Sequence, residues 1–85
     1  MQEDFLIPNE DKLEINLHDM QVEEARYYLD KCITTAPENI KEIVVIHGYK
    51  KGQALLNMVR HDFKHNRIKE KVIPYNKGIT LLFLN

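Results

Sequence analysis

Apolar and polar residues alternate from Lys12 to His18: Leu13, Ile15 and Leu17 fall on one side, Glu14, Asn16 and His18 on the other. A period of two belongs to a strand with one buried face. It predicts a strand over residues 12–18, with Asn16 and His18 as same-face neighbours near its end. The period then changes. Val22, Ala25, Leu29, Cys32 and Ala36 recur at helical spacing and predict a helix from about Gln21 to Ala36. Glu23 and Glu24 would sit in its first turn, where the helix dipole favours negative charge, and Pro37 would stop it. Its start is less sharply marked, because Gln21 is a poor capping residue and Asp19, a good one, lies early. Glu42 to His47 encloses Ile43-Val44-Val45-Ile46, a β-branched run apolar on both faces, as in a central strand. Strand, helix and strand in this order predict a right-handed parallel crossover.

After a loop from Gly48 to Gly52, Leu55, Met58, Val59 and Phe63 mark the apolar side of a second helix, from about Gln53 to His65. Lys71 to Ile73 reads as a short third strand. Tyr75-Asn76-Lys77-Gly78 is a turn, with Asn76 or Gly78 able to adopt positive φ. Ile79 to Leu84, mostly apolar, is a final interior strand. The order is β-α-β-α-β-β, an α/β class. One domain over residues 12–85 follows an N-terminal extension, residues 1–11, which carries Pro8, Asn9 and four acidic groups. Phe5-Leu6-Ile7 within it would dock on the core or on a protein partner.

Composition narrows the class. At 85 residues, 44% hydrophobic and 29% charged, the chain is an ordinary globular sequence with room for one modest core. No apolar run approaches the roughly 20 residues that span a bilayer, so no membrane association is expected. Met1-Gln2-Glu3-Asp4 is acidic, unlike a secretory signal. Cys32 is the only cysteine, which excludes an intramolecular disulfide and makes a reducing, cytoplasmic location the default. Its place on the apolar stripe of the first helix reads as a buried, inert thiol.

Charge changes the picture more. The net charge of −1 hides 4 basic against 11 acidic residues over positions 1–47, and 8 basic against 2 acidic over 48–85. The basic set is Lys50, Lys51, Arg60, Lys64, Arg67, Lys69, Lys71 and Lys77. Such a division attracts a polyanion if the basic residues share a face. If they do not, it is a solvated surface whose halves attract one another.

Both crossover strands end in histidine. Parallel neighbours would bring His18 and His47 to one rim of the sheet, the side on which open α/β sheets bind ligands. Beyond His47, the stretch Gly48-Tyr49-Lys50-Lys51-Gly52 leads into a helix. There glycines permit tight backbone, freed N–H groups face an anion, and lysines add charge, a setting that suits a phosphodiester. The loop lacks the Walker and dinucleotide patterns. Taken alone, His47 reads as a residue capping backbone groups in a plain connection; the matching His18 shifts the reading toward function. Asn16 is placed to orient His18. Arg60, Lys64 and Arg67 are further phosphate contacts, and Tyr49, beside Lys50, is the best of four tyrosines for stacking on a base. His61 and His65 imitate a zinc motif with Asp62 between them. The helix ends there and no third ligand is evident, so no metal site is assigned.

Ile15-Asn16-Leu17-His18, Val22-Glu23-Glu24-Ala25, Val44-Val45-Ile46-His47-Gly48 and Gly78-Ile79-Thr80-Leu81 together resemble the Smr (small MutS-related) domain. That family shows Leu-Asp-Leu-His-Gly, Val-x-Glu-Ala, His-Gly-x-Gly and a closing Gly-Val-Thr strand. The resemblance covers about residues 12–85. It implies a two-layer α/β sandwich with a four-stranded mixed sheet, similar to the C-terminal domain of translation initiation factor three. It also implies binding of DNA or RNA and, as in several members, DNA-nicking or RNA-cleaving endonuclease activity serving DNA repair or RNA processing. Three positions depart: Asn16 for the family Asp, Asp19 for the Gly after the histidine, and Lys50 for the second Gly of His-Gly-x-Gly, with Gly52 keeping a later glycine. Asn16 cannot ionise, so it is neither a general base nor an anionic metal ligand. Asp19 is placed to supply a displaced carboxylate.

The catalytic set expected is therefore His18, His47, Asn16 and Asp19. The nucleic-acid-binding set is Gly48, Tyr49, Lys50, Lys51, Gly52, Arg60 and Lys64. The sequence indicates no cofactor and leaves any divalent-metal requirement open. A non-catalytic nucleic-acid or protein interaction module is the alternative reading.

Overall fold

The computed structural model of the protein describes residues 11–50 and 52–85; Phe5-Leu6-Ile7, the rest of the extension up to Glu10, and Lys51 lie outside the described residues. The elements run β1 (Lys12–Asn16), α1 (Val22–Thr35), β2 (Glu42–Ile46), α2 (Ala54–Asn57) continued by a π-helical turn (Met58–Asp62), β3 (Ile68–Val72) and β4 (Ile79–Leu84). The strands form one mixed sheet in the order β1-β2-β4-β3. β2 lies parallel to β1, and β4 runs antiparallel to both of its neighbours. The expected β-α-β-α-β-β order and mixed four-stranded sheet are therefore those observed.

The alternation of β1 sends Ile15 and Leu17 into the core and leaves Asn16 and His18 outward. Ile43 and Val45 of β2 and Leu82 and Leu84 of β4 face the same way. Ala25, Leu29 and Ile33 of α1 and Met58, Val59 and Phe63 of the second helical segment close over them as a single apolar layer. Cys32 is half-buried beside it. At the start of α1, the Glu24 carboxylate accepts the Gln21 N–H at 3.4 Å, which offsets the poor cap. No helix among the described residues is long and apolar enough to cross a membrane.

Two elements differ most from their expected limits. The second helix ends at Asp62, not His65. Its last turn is widened: the Phe63 N–H donates to Met58 O at 2.7 Å, five residues back. The Lys71 ammonium enters from β3 and donates to Val59 O at 2.8 Å and to Phe63 O at 2.6 Å. A cation on the last carbonyls does what the helix dipole favours at that end. The third strand begins at Ile68, not Lys71. Its three consecutive charges hide the alternation, but it is an edge strand with a register shift between Ile68 and Glu70, where charged residues are at home.

The β3–β4 turn also forms without positive φ at Asn76 or Gly78; among the described residues only Asp19, Gly48 and Gly52 adopt it. Instead the Asn76 side-chain oxygen accepts the Gly78 N–H at 2.8 Å.

Candidate active site at the strand ends

Asn16 pairs with Ile46 across the parallel ladder, and the Leu17 N–H donates to Ile46 O at 2.7 Å. β1 and β2 therefore finish together and deliver His18 and His47 to one rim. Beyond Leu17 the chain turns sharply. The Asn16 side-chain oxygen accepts the His18 N–H at 2.8 Å, and the Met20 N–H donates to Leu17 O at 3.0 Å. Asp19 takes a left-handed backbone, φ +73°, which Asp tolerates better than most residues. Its carboxylate Oδ2 then lies 3.2 Å from His18 Nδ1. Asn16, expected to orient His18, hydrogen-bonds its backbone N–H, while Asp19 reaches the ring.

The His18 side chain is 49% exposed. Its ring lies across Gly48, whose φ of +76° and missing side chain make the approach feasible. Gly48 is fixed in turn: the Gly78 carbonyl accepts the N–H groups of both His47, at 2.9 Å, and Gly48, at 3.0 Å. On one side the imidazole borders a cleft of about 270 Å³ shared with Asp19, Met20, His47, Tyr49 and Leu55. On the other it borders a groove of about 220 Å³ shared with Gly48, Tyr49, Lys50, Asn76 and Gly78. Among the described residues no hydrogen bond engages His18 Nε2, so this exposed ring combines an oriented Nδ1 with an available Nε2.

His47 is different. It is 3% exposed, on the floor of the cleft. Nδ1 donates to Gly48 O at 2.8 Å, and Nε2 accepts the hydroxyl of fully buried Thr80 at 2.8 Å. The Thr80 oxygen receives Arg60 Nε at 2.8 Å, and Arg60 Nη2 donates to Ile79 O at 2.9 Å and Lys77 O at 3.3 Å. Each link of the chain Arg60–Thr80–His47–Gly48 pairs one donor with one acceptor when the imidazole is neutral. Burial lowers the His47 pKa below its ordinary value; the Gly48 carbonyl opposes that shift and the Arg60 charge adds to it. His47, expected in the catalytic set, thus presents a ring with both nitrogens engaged.

The basic residues do not gather as the sequence allowed. Arg60 spends its guanidinium on the network just described. Arg67 spends its own on the end of α1, donating to Ile33 O at 2.6 Å and Ala36 O at 2.8 Å. Lys64 lies beyond the second helix with His65 and Ile68, at the opposite end of the sheet from His18. Lys64 therefore stands apart from this rim, and Arg60 reaches it with Nε and Nη2 already engaged by protein acceptors. Lys50 and Lys77 are exposed there. Gly52, at φ +131°, turns the loop back, its N–H directed at Tyr49 O at 3.4 Å. His61 and His65 share no helix, and the His65 ring instead meets Thr34 Oγ1 at 3.0 Å. No group of three His, Cys, Asp or Glu able to hold a metal occurs among the described residues. Sequence reasoning missed Thr80, though a hydroxyl at a core-facing position of an apolar strand marks a buried polar partner.

Comparison with known proteins agrees with this geometry. The Smr domain family model matches residues 15–78, most of the chain and both histidine-bearing strand ends. The crystal structure of the Smr domain of Thermus thermophilus MutS2 has the same fold, with a TM-score of 0.76 at 22% identity over 86% of this chain and 98% of that one. No curated protein matches. The chain belongs to the Smr domain family.

Proposed function

We propose that this domain binds nucleic acid across the rim where β1 and β2 end, and that His18, oriented by Asp19, cleaves a phosphodiester there. The observation that carries the reading is the exposed His18 imidazole, with Asp19 Oδ2 3.2 Å from its Nδ1, standing between the cleft and the groove. His18 Nε2 takes the proton of the attacking oxygen, from water on DNA or from the 2′-hydroxyl on RNA. That oxygen bonds to phosphorus, the bond from phosphorus to the leaving ester oxygen breaks, and the leaving oxygen takes a proton from solvent. Asp19 stabilises the imidazolium that forms. Positioned acid–base groups of this kind contribute about a hundredfold to ten-thousandfold. Lys50 and Lys77 supply charge for the backbone, and His47 holds Gly48 in place through its ring.

The test pairs cleavage with binding. The full chain is incubated with supercoiled plasmid and with structured RNA, and its affinity for each is recorded at two salt concentrations. The reading requires cleavage of at least one substrate, affinity that falls steeply with salt, and further weakening in Lys50→Ala/Lys77→Ala. Salt-independent binding overturns the interface.

Asn16 favours a second reading, in which the domain binds without cleaving, because the family carboxylate is absent at that position. Salt-dependent binding with intact plasmid and RNA after prolonged incubation selects it.

A further inference from the structure

Two tyrosines with open ring surface flank the rim. Tyr75, in the β3–β4 turn, is 103% exposed, and Tyr49, in the β2–α2 loop, is 38% exposed. Neither ring makes a hydrogen bond or ring contact among the described residues. Tyr27, 68% exposed on α1, is by contrast already partnered: Lys31 Nζ lies 5.6 Å from its ring centroid. The backbone beneath both rim tyrosines is nonetheless fixed. Gly78 O ties the two loops together through the His47 and Gly48 N–H groups, and Asn76 closes the turn that carries Tyr75. The Tyr75 ring, left in water on a fixed turn, contributes no burial to folding, and the open part of Tyr49 lies along the groove; both stand ready to bury area against a partner.

The surroundings specify that partner. Lys50 follows Tyr49, and Lys77 lies two residues past Tyr75, both exposed. Between the loops runs the shallow groove floored by Gly48 and Gly78 and bordered by His18. Planar rings interleaved with cations, beside a glycine floor that admits a sugar–phosphate chain, match a polyanion that displays flat apolar faces. Nucleotides display such faces only when unpaired, because a duplex hides them inside its stack. We infer that Tyr49 and Tyr75 form a stacking platform for unpaired bases, so that the strand engaged at His18 is single-stranded, looped or frayed. This rests on the proposed nucleic-acid reading and adds the structural state of the substrate.

Fluorescence anisotropy tests it, using a labelled single-stranded 20-mer without self-complementarity as DNA and as RNA, and the corresponding blunt DNA duplex. Wild type should bind at least one single strand about tenfold or more tighter than the duplex. Tyr75→Ser and Tyr49→Ser should each lose about fivefold or more on that strand, with duplex affinity and the salt slope unchanged, and Tyr75→Phe should restore binding. Because the protein has no tryptophan, quenching of tyrosine emission by the strand, reduced in Tyr75→Ser, is an independent readout. Thermal melting confirms that the variants fold. Salt-dependent binding that both serine variants retain in full overturns the platform and leaves the interface standing. Equal losses on single strand and duplex also overturn it. No binding to any of the three probes at low salt overturns the platform and the interface together.

Discussion

The imidazole of His18 rests on Gly48 so closely that a methyl group placed on Gly48 would stand 2.7 Å from His18 Cδ2. The atom it would strike belongs to an exposed side chain, so the ring can yield where backbone could not. Gly48→Ala should therefore displace His18 rather than collapse the domain. Its melting temperature should fall modestly, reflecting the left-handed backbone, a cost of about 1–2 kcal/mol. Turnover should fall much further, with affinity for substrate nearly unchanged, in a comparison of single-turnover rates with binding curves.

Asp19 offers a substitution that separates chemistry from fold. At φ +73° glycine is at least as comfortable as aspartate. Asp19→Gly should melt within a few degrees of wild type while its cleavage rate drops about tenfold or more, because the imidazolium loses its counter-ion. Asp19→Asn should behave similarly. Cleavage that survives both changes would remove Asp19 from the mechanism.

Thr80 joins His47 to Arg60 inside the domain. Thr80→Val keeps the shape but leaves His47 Nε2 without a donor and Arg60 Nε without its acceptor. Chemical denaturation should show a loss of about 2–3 kcal/mol, with Thr80→Ser recovering most of it.

The same network gives stability a pH dependence. His47 is held neutral, its pKa lowered by burial from the ordinary 6.5. Below 6.5 the unfolded chain takes up a proton that the folded one resists. The contribution of His47 is therefore intact above that pH and is lost as pH falls through the window beneath it. Melting temperature measured from about pH 7.5 to pH 5 should fall more steeply for wild type than for His47→Gln. Parallel profiles would contradict the neutral ring.

Lys71 caps the widened end of the second helix. Lys71→Met should retain the aliphatic packing, orphan the carbonyls of Val59 and Phe63, and cost about 2 kcal/mol by denaturant titration.

Much of this was legible in the chain. Leu13, Ile15 and Leu17 against Glu14, Asn16 and His18 announce β1 and the outward histidine, because a strand has no other way to bury three alternate residues. The apolar run Ile43–Ile46 announces the central strand, and with it the meeting of His18 and His47 at one rim. What sequence left open was direction and partnership. Asp19 reaches the His18 ring because of a single left-handed residue. Arg60, Arg67 and Lys71 look like a basic face, but they are spent on backbone carbonyls whose positions depend on three-dimensional packing. The two histidines stand at matching strand ends, but His18 continues the exposed positions of β1 and His47 the buried positions Ile43 and Val45 of β2, where Thr80 meets its ring.

That separation is tested most directly by single-turnover cleavage of the substrate found to be cut, comparing His18→Ala with His47→Gln at equal folded concentration and with binding measured alongside. His18→Ala should lose about a hundredfold or more in rate while keeping its affinity, whereas His47→Gln should lose stability and retain a substantial rate. Full activity in His18→Ala, or its abolition only in a well-folded His47→Gln, would contradict the account.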